Sequence, residues 1–138
     1  KMNANLKVVI FEEKKVIKDL LDLLDRQYDY IVNKEVVKMD SIVSELEDVS
    51  KKLAKLEIER RNIMGKDASL KELVESSNDE KLTEAYRDIQ RNLNMIEQQK
   101  KANEELVKNR LFYTKKMLNL LSPKRGNGTY NAYGQIRK

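Results

Sequence analysis

The chain has 138 residues, of which 37% are charged and 6% aromatic, with one Pro, four Gly, and neither Cys nor His. This profile excludes a disulfide framework and a Cys- or His-ligated zinc site, removes the commonest general base, and fits long solvated helices rather than a sheet-rich domain. The net charge of +5 is concentrated at one end: residues 123–138 hold Lys124, Arg125, Arg137 and Lys138 without an acid, leaving 24 basic against 23 acidic groups in the body, too even for a duplex-binding face.

All Gly and the single Pro fall at Gly65 or within Pro123–Gly134, so nothing breaks residues 1–64 or 66–122. In the first stretch Leu6, Val9, Ile10, Ile17, Leu20, Leu21, Leu24, Tyr28 and Ile31 recur at helical spacing and gather in an arc of about 120°. They predict a helix with one buried face. Asn33-Lys34-Glu35 interrupts it, and Asn33 suits either the close of this helix or the cap of the next, with a tight turn or a kink between them. The second stretch is a heptad: Met39, Leu46, Leu53 and Arg60 in one register, Ile42, Val49, Leu56 and Ile63 in the other, predicting coiled-coil-like packing that ends at Gly65.

Capping-box spacing at Ser69-x-x-Glu72 and again at Ser77-x-x-Glu80 predicts a one- or two-turn helix between two starts. From about Asp79 to Leu121 nothing stops a helix, which predicts about 43 residues and roughly 65 Å of length. Leu82, Tyr86, Ile89, Leu93 and Ile96 form its seam, facing the first two segments. Lys100, Asn103, Arg110 and Thr114 then occupy seam positions. These polar residues predict a bundle that loosens, unless the helix simply projects past its neighbours or Asn103 fixes register as a buried Asn does in coiled coils. The expected fold class is all-α: an elongated antiparallel helical bundle over residues 1–122, with coiled-coil-like long helices, followed by a flexible basic tail, residues 123–138.

Carboxylate pairs such as Glu12 and Glu13 lie among lysines, and no Gly-rich phosphate loop or Ser elbow is present, so no enzyme and no cofactor is expected. No apolar run approaches the roughly 20 residues that span a bilayer, and the start lacks the apolar core of a secretory signal. Cytoplasmic residence without membrane insertion is the expectation, and no nucleic acid is expected as partner. Nine of the sixteen residues from Leu106 to Leu121 are apolar. All but Phe112 span about 180° of the wheel, wider than the roughly 100° a bundle needs to cover. The surplus predicts a groove for an amphipathic partner helix, with Asn103, Leu106, Val107, Arg110, Leu111, Thr114, Met117, Leu118 and Leu121 as binding residues.

The stretch from Asn103 through Leu106, Asn109, Leu111, Met117, Leu120 and Leu121, followed by Thr129-Tyr130-x-x-x-Gly134, resembles the close of the FlgN family of flagellar export chaperones. The similarity extends weakly over nearly the whole length. One departure is Lys100, where many members carry a second Asn. The resemblance implies a chaperone that binds the C-terminal helices of hook-filament junction proteins, keeps them unpolymerised and delivers them to the type III flagellar export gate. Tyr130 and Tyr133 in the basic tail are the expected gate-docking residues. Homodimerisation through the apolar patch stays open, and the alternative from a different class is a self-assembling coiled-coil adaptor.

Overall fold

The computed structural model describes residues 3–108, which form four helices and no strand. Helix α1 spans Ala4–Val32 and is capped by Asn3, whose side chain accepts from the Asn5 amide. It is the spine of the bundle. Its buried residues cover a wider arc than one neighbour could, because α1 packs against both α2, Val36–Met64, and α4, Glu80–Leu106. Ile10, Leu24 and Ile31 lose all exposure, each contributing about 1.5–3 kcal/mol through burial.

The interruption after α1 is a tight turn. Asn33 ends the helix, and Lys34 takes the left-handed conformation with φ 58°. The Glu35 amide donates to Tyr30 O at 2.9 Å and the Lys34 amide to Ile31 O at 3.1 Å, which closes the last turn in the Schellman pattern. The chain reverses there. Arg26 pairs with Glu45, and Glu13 with Arg60, so α2 runs antiparallel to α1. Gly65, with φ 88°, ends α2 as its position predicts.

Helix α3, Leu70–Ser77, begins at Ser69, whose hydroxyl accepts from the Glu72 amide, and it packs on α4 with Val74 buried. Asn78 closes it in the left-handed conformation, with φ 54°. The cap of α4 is Asp79 rather than Ser77: the Asp79 carboxylate accepts from the Leu82 amide, while Ser77 Oγ donates to Val74 O. Lys7 with Asp79, Lys14 with Asp88, and Leu24 and Gln27 with Asn103 then show α4 rising parallel to α1.

Three expectations need correction. Tyr28, placed on the buried face of α1, is 37% exposed, and Leu93, placed in the α4 seam, is 38% exposed. In α1 it is the neighbouring Gln27 that turns inward, to Asn103, and in α4 it is Ile89 and Ile96, either side of Leu93, that are buried. The α2 heptad is fully buried only at Met39, Ile42 and Leu46. Val49, Leu53, Leu56 and Ile63 are half-buried, since α1 is the only long helix packed extensively on α2.

Candidate functional site

Lys100 and Asn103 were expected either to loosen the bundle or, through a buried Asn103, to fix its register, and the structure overturns the first of these. Both are buried, and Asn103 has no exposed surface at all. Its Nδ2 donates to Leu24 O at 3.1 Å and to Gln27 Oε1 at 2.9 Å, and its Oδ1 accepts from Gln99 Nε2 at 3.0 Å. A buried amide unmatched by partners would open the seam, but one matched on both its donor and acceptor sides closes it. Leu106 and Val107 continue the contact and join the core, 5% and 2% exposed. Of the residues predicted to bind a partner, these three therefore face the bundle interior. Arg110, Leu111, Thr114, Met117, Leu118 and Leu121, with Tyr130 and Tyr133, lie outside the described residues.

A second buried polar pair joins α1 to α2. Arg60 Nε donates to both oxygens of Glu13, at 3.1 and 3.2 Å, and Glu13 is 5% exposed. Burial pushes the Glu13 carboxyl above the usual glutamate range, against the opposing pull of the Arg60 charge and its hydrogen bonds. Lys7 and the Leu82 amide hold Asp79 below its usual range, and Arg91 with Lys14 does the same for Asp88.

Glu13, expected to lie solvated among lysines, is instead buried against Arg60, and Gln27 was missed because only apolar residues were sought. A signal was present. Leu6, Glu13, Leu20 and Gln27 fall at intervals of seven, as do Leu82, Ile89, Ile96 and Asn103, so each polar residue continues an apolar stripe.

The two ends of the bundle differ in chemistry. At the α3–α4 junction an open cleft is lined by Glu75, Asp79, Glu80, Glu84 and Arg87, a polar and solvated surface. The opposite end carries the α1–α2 turn and the end of described α4, with Val32 and Val37 exposed and Val107 and Lys108 in π-helical geometry. Among the described residues no helix is long and apolar enough to cross a membrane, and no group of three or more His, Cys, Asp or Glu is placed to hold a metal ion.

Long helices on a single spine, with the last one leading to the end away from the acidic cleft, define a helical-bundle protein of the kind that offers helix surfaces to other proteins. The family model described as FlgN protein matches residues 2–138, and the chain belongs to that family, whose members are flagellar export chaperones. Its general role is thus that of a chaperone in flagellum biogenesis with a protein partner. Among curated proteins and among solved structures nothing matches the chain.

Proposed function

We infer that this chaperone holds the C-terminal helices of hook-filament junction proteins against the apolar stretch that follows Lys108, keeps them unpolymerised in the cytoplasm, and carries them to the export gate. The observation that carries this reading is the length of α1. Asn103 sits opposite Leu24 and Gln27, and α1 ends at Val32. Two parallel helices advance about 1.5 Å per residue each. Pairing one for one, α1 is therefore used up by about residue 110 of its partner, so in a helix that continued on the same axis Leu111, Met117, Leu118 and Leu121 would have no counterpart on α1. These residues, with Arg110 and Thr114, form the proposed client surface, and the buried Leu106 and Val107 anchor its base. Asn103 contributes from inside the bundle.

A client helix covering about 600 Å² of apolar surface offers on the order of 15 kcal/mol gross, much of it offset by association and ordering costs. The remainder suits a micromolar-to-nanomolar complex that can release its cargo.

Residues 123–138 form the proposed second site, a basic tail in which Tyr130 and Tyr133 dock on the gate while Lys124 and Arg125 steer it toward an acidic surface. Removing residues 123–138 tests this two-site reading. Client affinity stays within about threefold, under ~0.7 kcal/mol, while export of the client is lost. Loss of client binding in the shortened chain would place the tail in the client site instead.

A further inference from the structure

Each outer helix carries one polar residue in an otherwise apolar stripe of sevens, and each of those residues meets one of the two polar residues in the matching stripe of α1. In α2 the stripe is Met39, Leu46, Leu53 and Arg60. In α4 it is Leu82, Ile89, Ile96 and Asn103. The α1 stripe alternates Leu6, Glu13, Leu20 and Gln27. Arg60 meets Glu13 and Asn103 meets Gln27, all four side chains buried or nearly so.

Apolar stripes of this kind are nearly degenerate in register. A helix that slides along its partner by one turn exchanges one Leu or Ile contact for another, and the seam re-forms. The polar pairs are not degenerate. With α4 displaced by one turn in either direction, Asn103 would face Leu23 or Ile31, both buried and without a polar side-chain atom. With α2 displaced likewise, Arg60 would face Val9 or Ile17, again buried and apolar. Each displaced state strands a buried polar group, the Asn103 and Gln27 amides in the first case and the Glu13 carboxylate in the second, and each native state satisfies it.

We propose that Asn103–Gln27 and Arg60–Glu13 are register latches, and that the first sets which residues of α4 stand opposite the last turns of α1. Asn103 is then a positioning residue. It determines which α4 residues stand opposite the last turns of α1, and a one-turn slip would move them by about four residues. Its functional meaning rests on the client surface proposed above, but the register itself can be read without any client.

The chain has no Cys, so spin labels attach only where cysteines are introduced. Glu12→Cys and Glu105→Cys place labels on exposed positions of α1 and α4, separated mainly along the bundle axis. In the otherwise unchanged protein, double electron–electron resonance gives one distance. In Asn103→Leu/Gln27→Met, where both polar groups are replaced by side chains of similar shape, a second population displaced by about 5 Å appears. The exchanged pair Asn103→Gln/Gln27→Asn keeps one distance. Relocating the latch with Gln27→Leu/Ile31→Gln shifts α4 toward the end of α1 and lengthens the distance, which supplies a signed test should the apolar pair fail to fold. A single unshifted distance in both the apolar and the relocated variants overturns the proposal, and so does slippage in the exchanged pair.

Discussion

Replacing Asn103 by Leu, which shares its branching at Cγ, removes three hydrogen bonds at a site with no exposed surface. The losses are unequal. Gln99 is half-buried and can turn its amide toward water, and Leu24 O keeps its place in the backbone ladder of α1. Gln27 is 1% exposed and loses the donor to its Oε1, at a cost of about 1–3 kcal/mol for a buried group left unsatisfied. The single variant should therefore lose about 2 kcal/mol, or about 7 °C in Tm for a chain of this size. Adding Gln27→Met removes the stranded group, so the double variant should recover to within about 1 kcal/mol of the parent. Urea and thermal melts followed by far-UV circular dichroism measure all four corners of the cycle, with an unchanged m-value confirming that stability alone has moved. A loss below about 0.5 kcal/mol in the single variant, or a double variant that loses the sum of the two singles, would refute the reasoning that the pair is a matched buried unit.

Two further predictions use other parts of the fold. Because burial raises the Glu13 carboxyl above its unfolded value, the protonated form is favoured in the folded state. Its stability contribution is full below the unfolded value and is lost as pH rises through the folded one, so the parent should gain on Glu13→Gln as pH falls through the window above the ordinary glutamate range. Parallel Tm profiles of the two proteins across that window would contradict this. Lys34 holds a left-handed position that Gly adopts without cost, and Lys34→Gly should raise stability by about 0.5 kcal/mol, or about 2 °C. A fall in Tm would show that Lys34 contributes through its side chain.

Most of the architecture was legible because it follows from punctuation and period. Gly65, Asn33, Ser69 and the start near Asp79 mark the ends of the helices as the sequence suggests, and the alternation of Leu and Ile in α1 assigns its buried face. What was not legible depends on which helix lies beside which. A spacing of seven treats Leu53 and Leu46 alike, yet one is half-buried and the other fully covered, since α2 has only α1 as an extensive partner. Asn103 could be read as a point of weakness or as a register-fixing residue, because its partner Gln27 is 76 residues away and a polar residue on an apolar stripe looks like an interruption. Read as a pair they are the opposite. The left-handed turn fell on Lys34, one residue past the Asn33 expected to close α1, since it is the hydrogen bonds of Lys34 and Glu35 back to Ile31 and Tyr30 that close the last turn. The apolar excess after Leu106 was visible from composition. That its first residue, Val107, is buried in the core was not.

The central claim, that the apolar stretch after Lys108 captures an amphipathic client helix, is tested most directly by titrating the C-terminal helices of a hook-filament junction protein into the full chain and into Leu111→Asp/Leu118→Asp in a calorimeter. The account expects micromolar or tighter binding to the parent, weakened at least tenfold, by about 1.4 kcal/mol or more, in a variant whose Tm is unchanged. Equal affinity for both proteins, or a collapse of Tm together with binding, would contradict it.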